Sequence, residues 1–209
     1  MRGRGSSGRP GYNTGSPPRH GESTMKKLVA AALALAVALP AHAKKVAGVD
    51  FPDAVEVGGQ QLKLNGAGLR KKFVVKVYAG GLYLAAPSRD AEAIVAADAP
   101  KRVRMVFLRD VKKGQIMDAY RDGFRANSRG PKLDALLEQL KSIEPAVPNM
   151  REGAEMFVTY VPGQGTTVSA AGGGPPVTVP GKDFADAMFR NWLGREPADG
   201  DLKKALLGR

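Results

Sequence analysis

Between Leu64 and Leu84 the chain reads LNGAGLRKKFVVKVYAGGLYL, and this stretch limits the possible folds more than any other. Phe73 to Leu84 is rich in Val, Tyr and Phe, residues that fit a pleated, half-buried surface. It is apolar at both parities except at Lys76, as expected of a central strand covered on both faces. Gly80-Gly81 within it indicates a bulge or a place where another backbone or a ligand comes close. Asn65-Gly66-Ala67-Gly68 breaks or bends the strand ahead of Arg70. Arg70 and Tyr78 are the conspicuous polar residues here. Eight residues of straight strand span about 26 Å at roughly 3.3 Å each. The two can meet only if the chain turns back between Lys71 and Val74, where no Gly or Pro marks a turn.

The flanking segments read as an antiparallel sheet with helices. Lys44 to Asp53 is an extended lead-in. Val55–Val57 and Gln61–Leu64 alternate around Gly58-Gly59, a two-residue hairpin turn, since glycine accepts positive φ. Ser88 is the expected N-cap of a short helix whose apolar face is Ala91, Ile94 and Val95. Val103, Met105 and Phe107 mark a strand. Ile116, Met117, Tyr120 and Phe124 mark an amphipathic helix over Lys113–Asn127. Pro131 suits the first turn of a further helix with Leu133, Leu136, Leu137 and Leu140 inward. Met156–Val161 and Thr166–Ser169 pair around Gly163-Gln164-Gly165, and 170–176 is a loop. Phe184, Met188, Trp192 and Leu193 form one helical face ended by Gly194, and Asp201–Leu207 is a short closing helix. Strands, helices, strands, helices in that order indicate α+β with one antiparallel sheet partly covered by helices.

The amino terminus bears on compartment and chemistry. Residues 1–24 are Gly, Ser, Pro and Arg with little to bury, an expected disordered extension upstream of the true start at Met25. Residues 25–43 have the form of a cleaved signal peptide: Met25-Lys26-Lys27, an apolar run from Leu28 to Leu39, then Pro40-Ala41-His42-Ala43. The run is too short to span roughly 30 Å of hydrocarbon. The expected working domain is 44–209, periplasmic or secreted, with no transmembrane segment after cleavage. The first 43 residues hold six of the 32 basic and one of the 20 acidic residues, leaving 26 and 19, a net charge of +7. That balance favours anionic ligands or lipid surfaces and falls short of a nucleic-acid footprint. The chain has no Cys, and both histidines, His20 and His42, lie in the removed part. Ser-His-Asp and Cys-His catalysis, thiol redox chemistry and His- or Cys-ligated zinc are thereby excluded from the working domain, and no metal or cofactor is implied.

Three blocks, in order, resemble the chalcone isomerase family. They are Gly66-Ala67-Gly68-Leu69-Arg70 with Val77-Tyr78-Ala79-Gly80-Gly81-Leu82-Tyr83-Leu84, the Gly114–Asn127 helix after a strand, and FADAMFRNWLG from Phe184 to Gly194 with its short last helix. The resemblance implies an open-faced β-sandwich, with a ligand between a large antiparallel sheet and a helical layer. The family includes enzymes that close chalcones to flavanones, non-catalytic members resembling fatty-acid-binding proteins, and secreted bacterial relatives, which this chain resembles.

For the enzymes, an arginine at the position of Arg70 is held to stabilise a developing enolate, which needs neither His nor Cys. The same guanidinium fork suits a carboxylate. Tyr78 falls where the enzymes carry a threonine. The fatty-acid-binding members instead place a tyrosine there, beside the arginine at the lipid carboxylate. Gly114-Gln115 precedes Tyr120 and Asn127, which keep an enzyme-like spacing of seven on roughly one helix face, but the match needs an insertion. Aligned without it, the positions are Met117 and Phe124, which counts against isomerase activity. The expected ligand-binding set is Arg70, Tyr78, Tyr120 and Asn127, for a fatty acid or similar amphipathic carboxylate. The alternatives are an intramolecular lyase with Arg70 catalytic, and a non-catalytic envelope scaffold.

Overall fold

The computed structural model describes residues 43–209; the expected disordered extension and signal peptide lie outside the described residues, save Ala43. Seven strands form one antiparallel sheet in sequence order: β3 (Ala54–Val57), β4 (Gln60–Lys72), β5 (Val75–Leu84), β6 (Lys101–Phe107), β7 (Glu155–Val161), β8 (Gly165–Ala170) and β9 (Val177–Val179). Helices α1 (Ala91–Ala96), α2 (Lys113–Asn127), α3 (Gly130–Lys141), α4 (Lys182–Leu193) and α5 (Gly200–Leu206) supply the residues that pack against one face. This is the α+β arrangement expected, with one large antiparallel sheet under a helical layer.

The helix-side face is set by alternation. Tyr78 and Leu82 from β5, Val103, Met105 and Phe107 from β6, and Met156, Val158 and Tyr160 from β7 are buried with Phe124, Leu140, Phe184, Met188, Trp192 and Leu202 from the helices. The opposite face is only partly covered. Ala43–Val46 (β1) and Val49–Pro52 (β2) form a separate hairpin whose Phe51 lies over Ala67 and Ala79. The extended lead-in is therefore two paired strands, because Ala47 (φ 49°) and Gly48 (φ 86°) make a tight turn. A Cβ at Gly81 would sit 2.5 Å from the Phe51 ring, so what comes close there is a side chain of β2 rather than the backbone or ligand expected.

Expected bends resolve into two register shifts in the β4–β5 pair, neither at Gly80-Gly81. Asn65 is the extra residue in β4. Its amide donates to Ser88 O and Leu206 O and accepts from Ser88 N. The bulge swaps parity, turning Leu62 and Leu64 to the Tyr83 side while Gly66, Gly68 and Arg70 face the helices. A Cβ at Gly66 or Gly68 would collide with Ala205 of α5, so these glycines seat that helix directly on the strand. Two expectations fail locally. Ser88 is not the N-cap of α1: Asp90 is, accepting from Ala93 N, while Ser88 Oγ accepts from Asp90 N. The outer end of the long apolar run is not covered either, since Phe73 and Val74 are each 91% exposed.

Candidate functional site

The turn that Arg70 and Tyr78 require exists. Lys72 pairs with Val75, leaving Phe73-Val74 as a two-residue loop, and Arg70 stands directly opposite Tyr78. Phe73 itself adopts the positive φ, 56°, that glycine usually supplies in such a turn. That explains why no turn residue marked it. The Arg70 guanidinium carbon lies 5.6 Å from the centre of the Tyr78 ring. Val77 is the extra residue at the second register shift, so adjacent residues Val77 and Tyr78 both line the same cavity.

That cavity has a free volume of about 50 Å³, between β5, β6, α2 and α4. Its walls include Met105, Phe107, Ile116, Tyr120 and Trp192, a mostly apolar set with Arg70 at one side. Arg70 Nε is buried with no hydrogen-bond partner, and no acid lies within ion-pair distance of it among the described residues. An unpaired buried donor on a cation is costly and favours an incoming anion. The cavity adjoins an outer cleft of about 700 Å³, and Arg70, Val77, Val111, Gln115, Ala119 and Ala198 border both.

Two phenols accompany the guanidinium. Tyr78 Oη accepts a hydrogen bond from Trp192 Nε1 at 2.8 Å, which leaves its own proton free to donate. Burial raises the Tyr78 pKa above its ordinary value, against the opposing pull of Arg70 and the Trp192 bond. Burial also raises the Tyr120 pKa above its ordinary value, reinforced by Tyr78 and opposed by Arg70. Both are neutral donors at physiological pH. Tyr120 Oη has only Met156 Sδ, a weak acceptor, at 4.0 Å, and its ring packs edge-on against Trp192 with centroids 6.1 Å apart. One cation and two phenolic donors in an apolar wall suit an acceptor-only group such as a carboxylate.

Arg70, Tyr78 and Tyr120 thus come together, whereas Asn127 does not join them. Its Nδ2 donates to Gly123 O and Glu196 O, and its Oδ1 accepts from Glu196 N. The side chain ties the end of α2 to the loop before α5, outside the cavity wall. The ungapped alternatives are equally plain: Met117 and Phe124 belong to the core. Trp192, Gln115 and Asn191 were missed. Trp192 lies on the apolar face of its helix, and a buried indole N–H needs an acceptor, a demand that is the signal for its role. Asn191 donates back to Ala187 O and Met188 O of its own helix, and its Oδ1 is unpaired. Gln115 stands out in sequence only as part of the Gly114-Gln115 pair that anchors the spacing, and nothing in the spacing of Asn191 distinguishes it from an ordinary helix residue. Among the described residues, no group of three or more acidic or histidine side chains could hold a metal ion, and no helix is long and apolar enough to cross a membrane.

Comparison with known proteins places this geometry in context. A family model described as chalcone isomerase-like matches residues 43–208. A crystal structure of a fatty-acid binding protein from Arabidopsis thaliana is similar at a TM-score of 0.59 and 18% identity, covering 77% of this chain and 92% of that one. At that identity the likeness concerns the fold. A search of curated proteins found no match.

Proposed function

The chain belongs to the chalcone isomerase-like family, and we propose that it binds a fatty acid or similar amphipathic carboxylate between sheet and helices, with the head group at Arg70, Tyr78 and Tyr120. The observation that carries this reading is the buried, unpartnered Arg70 Nε beside an apolar cavity. A carboxylate there would accept from the guanidinium and from the two neutral phenols, satisfying donors that otherwise have no strong acceptor. The cavity of about 50 Å³ accommodates a head group rather than a whole ligand, against roughly 300–1,000 Å³ for drug-sized pockets. The tail would continue past Val77, Val111 and Ala119 into the outer cleft, whose volume of about 700 Å³ falls in that range. The fatty-acid binding protein with a similar fold supports the choice of ligand class. With residues 25–43 acting as a cleaved signal, the site of action is the periplasm or beyond.

A purely structural scaffold has no need of an unpaired buried cation beside a cavity, so the state of Arg70 supports ligand binding over that alternative. The lyase alternative would use the same guanidinium on an enolate, but Tyr78 stands where that chemistry is associated with threonine. Native mass spectrometry of protein purified gently from cells tests the proposal. A co-purified carboxylic lipid, lost in Arg70→Ala, is the expected result. A protein that emerges empty and takes up no added fatty acid would reject it.

A further inference from the structure

The hairpin tip that brings Arg70 to Tyr78 has a surface unlike the rest of the described chain. Phe73 and Val74 are each 91% exposed and Val75 is 39% exposed, the exposed large hydrophobics of this structure. Lys71, Lys72 and Lys76 surround them, all exposed. None of the three lysines forms an ion pair among the described residues. Of the acids near the tip, Asp199 accepts from the Lys71 backbone N–H and from Asp201 N and Leu202 N as the cap of α5, whereas Asp110, Asp118, Asp122 and Glu196 line the adjoining cleft rather than the tip itself.

Two features of the tip run against stability when it stands free in water. Lys71 and Lys76 are direct cross-strand partners, an arrangement of like charges that weakens a hairpin. The turn position with φ of 56° carries phenylalanine, where glycine would be unstrained. Both are relieved or put to use by one kind of surface: apolar to the tip residues and anionic to the ring of lysines around them. We propose that the β4–β5 tip docks on an anionic lipid surface, with Phe73 and Val74 entering the headgroup–acyl boundary and the three lysines meeting the headgroup charge. A second copy of the chain is a poorer occupant, because two such tips would bring their lysines together. The tip also borders the outer cleft through Lys72, Phe73 and Val75, so docking would set the mouth of that cleft against the bilayer.

The absence of cysteine allows a position-specific test in the full chain. Val74→Cys places an environment-sensitive fluorophore at the tip. Gln164→Cys places the same label on the exposed β7–β8 turn at the other end of the sheet. Vesicles contain two parts phosphatidylcholine to one part phosphatidylglycerol, without free fatty acid. The tip label is expected to shift to the blue and to be quenched by spin-labelled lipid, while the Gln164→Cys label stays unchanged. Pure phosphatidylcholine should give little response. At roughly fivefold per basic residue, Lys71→Gln, Lys72→Gln and Lys76→Gln together should weaken the tip response on the order of a hundredfold. The proposal is overturned if the tip label does not respond at low salt. It is also overturned if both labels respond alike, if the lysine changes have no effect, or if the tip is already buried by self-association before vesicles are added. Because the vesicles carry no free carboxylic ligand, failure here leaves the reading of the Arg70 site standing, and the converse holds.

Discussion

Each face of the sheet holds an arginine against an aromatic ring, and the two are satisfied in different ways. On the partly open face, Arg104 lies 5.2 Å from the Phe51 ring centre, bonds both carboxylate oxygens of Glu155 at 2.5 and 3.3 Å, and donates to Asp50 O at 2.8 Å. On the helix-covered face, Arg70 lies 5.6 Å from the Tyr78 ring centre with its Nε buried and unpaired. The packing motif is shared and the counter-charge is not. A cation supplied with its own anion fastens a hairpin to a sheet. A cation left without one beside a cavity is available to a ligand.

Breaking the first arrangement should unfold the protein more readily. Phe51 is fully buried, and Phe51→Ala removes the ring that holds β1–β2 on the sheet, a change expected to cost about 3–5 kcal/mol in chemical denaturation. Arg104→Met strands Glu155 and Asp50 O. Fully buried pairs lose roughly 3–5 kcal/mol when one partner goes, but Glu155 is 35% exposed, so about 1–3 kcal/mol is expected. A loss as large as that of Phe51→Ala would mean the ion pair carries more than the packing does.

Lys101 is an intermediate case that sharpens the contrast. It is 2% exposed, and its ammonium donates to the carbonyls of Ile94, Val95 and Ala97 at the end of α1. It is hydrogen-bonded but not neutralised. Burial, with Lys182 nearby, lowers its pKa to about 8. An unfolded lysine keeps its proton to roughly pH 10.4, so between these values the unfolded chain binds more protons and unfolding free energy rises with pH. Melting temperature in wild type relative to Lys101→Met should therefore climb modestly from about pH 8 to pH 10. A flat or falling difference would show that Lys101 is not desolvated in solution.

The parts of this account visible beforehand were those fixed by local pattern. Gly58-Gly59 marked its hairpin because both residues need positive φ, and the α2 face followed from Ile116, Met117, Tyr120 and Phe124. The Arg70–Tyr78 pairing was visible only as a requirement, since Phe73 disguised its turn. Trp192 joins Tyr78 from 114 positions away, and Asn127 is diverted by a loop that no helix periodicity foretells. Such partnerships depend on how α4 and its following loop lie across the sheet, which local spacing does not encode.

The unpaired guanidinium is the centre of the account, and a paired titration tests it most directly. Calorimetry would compare a saturated fatty acid with the alcohol of the same chain length, in wild type and in Arg70→Met. Charge-assisted hydrogen bonds contribute about 1.5–3 kcal/mol, so wild type should prefer the acid by roughly 10- to 150-fold. In Arg70→Met that preference should vanish, with unfolding stability equal to or above that of wild type, because the substitution removes an unpaired buried donor. Equal binding of acid and alcohol by the wild-type protein, or an acid preference that survives Arg70→Met, would contradict it.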